Sequence, residues 1–198
     1  DNSMLLFKAK LAERFKNTKV RQSFTSDALW KEQIFASFIR EYPVILSTTH
    51  SLRSCASINY LFDYVIIDEA SQVDIVTGAL ALSCARNAVI VGDLKQLPNV
   101  VSPKTEKETN RVFESFALDT SYNYARNSIL SSISSLYKDV AKTMLKEHYR
   151  CHPKIIGFCN QKFYNNQLLV LTEENGREKP LVVYKTAKGN HARGTYNQ

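Results

Sequence analysis

The sequence predicts an α/β chain built on parallel strands, and three observations predict it. Tyr64-Val65-Ile66-Ile67 is a short apolar, largely β-branched run that stops at Asp68-Glu69, the pattern of a buried parallel strand ending in acids. Ala88-Val89-Ile90-Val91 repeats the pattern and stops at Gly92-Asp93, with Gln96 just beyond. Between them, residues 73–85 read as a helix, so the order is strand, helix, strand. Open α/β sheets bind ligands outside the carboxyl ends of their strands, which assigns both polar ends to one site.

The other elements follow in chain order. Met4, Phe7, Leu11 and Phe15 recur at helical spacing, with Lys8, Lys10, Arg14, Lys16, Lys19 and Arg21 around them. Those cations read either as a phosphate-contact surface or as the solvated face of a helix. Ser26 or Asp27 can cap a second helix carrying Trp30, Ile34 and Phe38 and ending near Tyr42-Pro43. Trp30 can stack on a base, although such a stripe is more often core. Val44-Ile45-Leu46 reads as a buried strand ending in Ser47-Thr48-Thr49, whose hydroxyls either meet a ligand or cap a helix near residues 50–58.

Residues 102–124 are polar, with Lys104, Glu106, Lys107 and Glu108 close together, and are expected to be loop with some helix separating two halves. Ile129, Ile133 and Leu136 mark a Ser-rich helix, and Met144-Leu145 a short extended segment. Pro153 suits the first turn of a helix running through Phe158 and Phe163 and stopping at Asn165-Asn166. Leu181-Val182-Val183-Tyr184 reads as a last strand.

Asp68 and Glu69 admit two roles. In one, Asp68 holds a Mg²⁺, directly or through its water shell, while Glu69 orients or deprotonates a water attacking a γ-phosphate. Both side chains can enter one crevice because the chain leaves the pleat there. In the other, Asp68 caps the following helix and Glu69 sits in its first turn. The second strand, with its own polar terminus at Asp93 and Gln96, favours the first.

The runs Asp68-Glu69-Ala70-Ser71-Gln72, Gly92-Asp93-Leu94-Lys95-Gln96-Leu97-Pro98 and His148-Tyr149-Arg150-Cys151-His152-Pro153 resemble motifs II, III and IV of superfamily 1 helicases. The nearest branch includes the nonsense-mediated-decay RNA helicase and its bacterial relatives. That family reads Gln and Met where this chain has His148 and Cys151, and it shares Tyr149 and Arg150. The resemblance implies part of a RecA-like P-loop NTPase domain followed by the start of a second, with ATP and Mg²⁺ as cofactors and single-stranded DNA or RNA as partner. It implies Asp68 as metal ligand, Glu69 as catalytic base, Asp93 and Gln96 on the nucleotide with Gln96 reading the γ-phosphate, and Tyr149 stacked on adenine. It implies Arg150 as an arginine finger, a role that suits the forked donors of a guanidinium. Thr48 and Thr49 lie in a segment resembling one that touches the single strand in this family.

Such a motor needs a Walker A loop, Gly-x4-Gly-Lys-Ser/Thr, whose amides and lysine cradle phosphates. The six glycines offer one near match, Gly189 to Gly194 followed by Thr195, which lacks the lysine, follows motif IV and reads as a flexible tail. The chain is therefore expected to be an inactive piece of a longer helicase, completed by other segments of the same polypeptide and able to self-associate when isolated. The Walker A strand is expected between the strands ending at residues 67 and 91, so that its loss leaves a rearranged sheet, or a gap filled by another segment or another chain. The expected divisions are a helical segment (1–43), the later part of a first motor domain (44–103), a connecting loop and helix (104–143) and the start of a second domain (144–198).

The chain has 198 residues, 44% of them hydrophobic, enough for a sizeable core, and nothing resembles a membrane span or signal peptide. Cys55, Cys84, Cys151 and Cys159 show no disulfide-scaffold spacing, and a reduced, cytoplasmic state is the simpler reading and the expectation. His148, Cys151, His152 and Cys159 offer zinc-ligand chemistry, but no second knuckle accompanies them. The net charge of +7, from 26 Lys and Arg against 19 Asp and Glu, accords with a polyanionic partner. Two other classes stay open at this point: a non-enzymatic nucleic-acid- or protein-binding module, and a nucleotide switch without translocation.

Overall fold

The structure, a computed structural model, describes residues 2–16, 23–174, 176, 179–180 and 182–185. It comprises two compact units, residues 1–138 and 139–198. Lys19, Arg21, Leu181 and the near match at Gly189 to Thr195 lie outside the described residues.

The first unit opens with α1, Asn2–Phe15. It has the expected helical spacing of Met4, Phe7 and Leu11, yet none of its residues is buried. Helix α2, Glu32–Glu41, follows a turn over residues 26–30, so neither Ser26 nor Asp27 caps it; Lys31 holds the cap position without a side-chain bond. The expected stripe is also displaced. Phe35, at 1% exposure, is the ring that enters the core, whereas Trp30 precedes the helix and stays 59% exposed. Phe35 meets Tyr60 at 5.0 Å between ring centroids, and Tyr60 meets Phe62 at 5.1 Å. Phe24 and Phe38, 5.2 Å apart, extend this aromatic cluster.

Val44-Ile45-Leu46, expected as a buried strand, pairs with no strand among the described residues, and Leu46 is 92% exposed. An apolar run becomes a strand only where a neighbour takes its amides and carbonyls. Thr48 then caps α3, Thr49–Cys55, accepting the Ser51 amide at 3.3 Å, so the capping alternative is realised in the structure.

The central unit is β1 (Phe62–Ile67), α4 (Ile75–Leu82) and β2 (Ala85–Ile90). The strands pair in parallel, from Phe62 opposite Ala85 to Ile67 opposite Ile90. This corrects the expected gap: β1 and β2 bond directly, so the main-chain groups between them are satisfied without an intervening strand. Strand β2 also starts earlier than the apolar run, taking in Arg86 and Asn87, whose side-chain amide donates to the Asp63 carbonyl at 2.9 Å.

Strand β1, expected as a buried strand, is buried on one face only. Val65 and Ile67 are buried while Tyr64 and Ile66 are exposed. The buried side packs with Ala70, Ala81 and Ile129. Helix α5, Pro103–Ser115, is capped by Ser102 with Pro103 in its first turn. After a short 3-10 turn, Thr120–Tyr122, comes α6, Ile129–Leu136, with a Ser128–Ser131 capping box. Gly78 lets α4 and α6 meet: a Cβ there would lie 2.7 Å from Ile129 Cβ.

The second unit contains β3 (Glu147–His148), α7 (Pro153–Phe163) and β4 (Leu169–Val170). The expected extended segment at Met144-Leu145 forms no ladder; pairing starts at Glu147, opposite Leu169. Helix α7 has the expected span, and Asn165 and Asn166 follow it with φ of 51° and 60°, a left-handed conformation that Asn tolerates. Residues 182–184, the described part of the expected last strand, have no strand pairing, and Val183 is 93% exposed. No described helix is long and apolar enough to cross a membrane.

Candidate active site

Parallel pairing sends the carboxyl ends of β1 and β2 to one edge, and the backbone then knits the two exits together. The Val91 amide donates to the Ile67 carbonyl at 2.8 Å, and the Ala70 amide donates to the Val91 carbonyl at 2.9 Å. Residues 68 and 69 therefore bulge between two bonds to the same residue, Val91, at the exit of the neighbouring strand.

Asp68 and Glu69 occupy that bulge, both exposed. Asp68 Oδ1 accepts the Glu69 amide at 2.9 Å, and the Glu69 carbonyl accepts the Gln72 amide at 2.9 Å. Glu69 has φ of 51°, a left-handed conformation that costs a residue with a Cβ roughly 1–3 kcal/mol and tends to persist at functional sites. The capping alternative for these acids fails on geometry. Asp74 caps α4, accepting the Thr77 amide at 2.9 Å and the Thr77 hydroxyl at 2.6 Å. Asp68 and Glu69 are thus released from the structural task that competed for them.

The second exit is held against the first. Gly92 has no room for a side chain: a Cβ would come within 3.0 Å of the Ala70 amide nitrogen and within 3.1 Å of that of Ser71. Beyond it, Asp93 accepts the Lys95 amide at 2.8 Å and the Gln96 side-chain amide at 3.4 Å. The Asn99 amide donates to the Ser71 carbonyl at 3.1 Å, and Leu130 and Ile129 donate to the Ala70 and Val73 carbonyls. The structure thus brings Asp68, Glu69, Asp93 and Gln96 to one edge of one sheet. Sequence reasoning named Gly92 as part of the strand's polar end without its steric role, and it missed Asp74. The Asp74-x2-Thr77 spacing was the readable sign of a helix cap.

In the second unit, Tyr149 is exposed and its hydroxyl donates to the Glu147 carboxylate. That bond is the main cause pushing the Tyr149 hydroxyl above its ordinary range. His148 and His152 both serve the backbone. His148 Nε2 accepts the Cys151 amide at 2.8 Å, and His152 Nδ1 accepts the Lys154 amide at 3.2 Å, capping α7. The Thr172 hydroxyl donates to the Cys151 carbonyl at 2.7 Å. These bonds fix the turn that carries Tyr149 and Arg150, and the departure His148 supplies one of them. Arg150 is exposed and, among the described residues, holds no hydrogen bond or ion pair.

Among the described residues no three His, Cys, Asp or Glu side chains converge on a metal position. The described residues therefore offer no closed cage. A single exposed carboxylate at Asp68 suits Mg²⁺, which keeps several waters and takes further ligands from phosphate.

Residues 3–104 match a family model described as AAA domain, and residues 125–195 match a second with the same description. The chain is 28% identical over 166 residues to an uncharacterized ATP-dependent helicase of Mycoplasma genitalium, covering 81% of this chain and 14% of that protein. It is 26% identical over 153 residues to an uncharacterized ATP-dependent helicase of Methanocaldococcus jannaschii, covering 77% and 20%. It is 30% identical over 166 residues to Helicase sen1 of Schizosaccharomyces pombe, covering 80% and 9%. The chain spans 20% or less of the length of each of these relatives.

Proposed function

This chain belongs to the superfamily 1 helicases of the sen1 type, with the AAA domains of a P-loop NTPase, and from that premise we propose that it supplies the hydrolytic strand ends of an ATP-driven motor on single-stranded nucleic acid. The observation that carries the reading is the joined exit of β1 and β2, where Asp68 and Glu69 stand exposed because Asp74 does the capping.

In this reading Asp68 would hold Mg²⁺, which when bound supplies charge neutralisation to phosphate oxygens. Glu69 accepts the proton of the attacking water, and its exposed carboxylate is adjacent in sequence to the metal ligand. Gln96, steadied by Asp93, presents its amide to the γ-phosphate. Arg150 donates its forked N–H groups to phosphate oxygens as charge develops, and the Tyr149 ring stacks on adenine. Thr48 and Thr49 touch the nucleic-acid backbone. The Thr48 oxygen is engaged as an acceptor by Ser51 and still has its own proton to donate. We assign the protein to the cytoplasm, a reading supported by four free cysteines, Cys55, Cys84, Cys151 and Cys159. These 198 residues alone, without a Walker A loop, should turn over ATP poorly, since the phosphates lack their cradle.

The test is Glu69→Gln in the full-length protein. Turnover of MgATP in the presence of a single strand should fall by roughly 100-fold or more, with ATP binding retained. Undiminished hydrolysis would remove Glu69 from its role.

A further inference from the structure

The structure holds a cavity of about 260 Å³ away from the strand ends, lined by Trp30, His50, Arg53, Ser54, Ala56 and Ile58. We infer that this cavity takes one base of a bound single-stranded nucleic acid, stacked on the Trp30 indole, with the adjoining phosphate on Arg53. The inference rests on the motor reading above and adds to it a base-binding position outside the helicase motifs.

Three observations carry it. Trp30 would ordinarily be highly buried, yet it lies outside α2 at 59% exposure while Phe35 takes the core position. An indole placed like this offers an apolar face at little ordering cost, which is how sequence-tolerant single-strand sites hold bases. Arg53 is already fixed, since one of its nitrogens donates to the Ile58 carbonyl at 2.6 Å; a guanidinium has further N–H donors for a phosphate.

His50 is fixed as well, with Nε2 3.3 Å from the Thr77 hydroxyl oxygen. That hydroxyl gives its proton to Asp74, so His50 Nε2 carries a proton and donates it. The ring's Nδ1 is then the atom left to meet a base edge. His50, Arg53 and Ser54 all lie on α3, the helix that starts at Thr49, so a strand touching Thr48 and Thr49 meets the cavity within one helix length. Among the described residues the cavity lining is basic or neutral, in a chain of net charge +7, which favours an anionic polymer over an uncharged apolar ligand.

Trp30 is the sole tryptophan of the chain, so its emission reports on this cavity alone. The full chain is titrated with 12-nucleotide oligothymidylate and, separately, oligouridylate, following tryptophan emission and the anisotropy of the same oligomers carrying a fluorescein label. Saturable quenching should share its midpoint with the anisotropy change. Trp30→Ala should weaken binding roughly ten-fold or more, and Trp30→Phe, which keeps a stacking ring, should restore most of it. Arg53→Gln should lower the slope of log Kd against log salt by about 0.7. A preference between the two oligomers separates DNA from RNA as the source of the base. Binding by anisotropy with unchanged tryptophan emission, and with Trp30→Ala and Arg53→Gln at wild-type affinity and slope, overturns the cavity while leaving the nucleic-acid reading in place. No anisotropy change with either oligomer overturns both.

Discussion

Gly78 and Gly92 show at the scale of single residues how space, and not backbone freedom alone, dictates a glycine. Gly78 sits inside α4, where alanine is ordinarily better by up to about 1 kcal/mol. Its missing Cβ would lie 2.5 Å from Ile129 Cγ1 and 2.7 Å from Ile129 Cβ, and a branched, buried side chain cannot step aside. Overpacking outweighs propensity, so Gly78→Ala should destabilise the first unit by roughly 1–3 kcal/mol, read as a lower denaturant midpoint. A raised midpoint would mean that α4 and α6 do not pack as closely as this. Glu69 shows the opposite case. A residue with a Cβ holds a left-handed conformation between two main-chain bonds to Val91, and the motif that identifies it says nothing about that φ. The acids were legible in the sequence because Asp-Glu after an apolar run is a local pattern. The steric need for glycine at 92 was not legible because its neighbours, Ala70 and Ser71, are brought to it by strand pairing.

At the scale of elements, α2 is held by its rings. Phe35 is buried between Tyr60, Phe62 and Phe38, so Phe35→Ala should cost about 3–5 kcal/mol, whereas truncating exposed Trp30 should leave the unfolding midpoint within error. Equal losses at both positions would refute this division of labour. Ion pairing adds a pH dependence. Lys154 bonds Glu174 and holds its carboxyl below the ordinary range, and the Ser121 amide does the same for Asp119, at the start of the short 3-10 turn. A carboxyl depressed in the folded state contributes stability that is fully present above its unfolded value, about 4, and is lost as pH falls through the folded value. Stability should therefore drop on acidification below about pH 5, and Glu174→Gln should lose less over that range than wild type, with the difference shrinking in salt. Superimposable pH profiles would show that the pair contributes nothing. Helix α7 was legible from Pro153 and the Asn165-Asn166 stop because both signals are local. The strand at Val44-Ile45-Leu46 was misread because strand formation needs a partner that a local pattern does not contain.

At the scale of the whole molecule, one face of the β1–β2 pair is covered and the other is not. Tyr64, Ile66 and Val89 are exposed at 64%, 68% and 44%, and the register puts Ile66 beside Val89 on the same side. Parallel sheets are normally covered on both faces, so this apolar surface should bind a hydrophobic dye in the isolated chain. Ile66→Lys should reduce that fluorescence without lowering the unfolding midpoint, and undiminished dye binding would place the patch elsewhere. The α/β class, the two strand ends, the residues Asp68, Glu69, Asp93, Gln96, Tyr149 and Arg150 as candidates, and the helicase resemblance were all readable before folding, because each is written in contiguous runs of a few residues. Folding in three dimensions settled that β1 and β2 bond to each other directly, that Asp74 and not Asp68 caps α4, and that Phe35 and not Trp30 enters the core. Each of those outcomes is a competition for one partner (a ladder neighbour, an amide at a helix start, a place in the aromatic cluster), and a competition is settled by which groups the folded chain brings within reach.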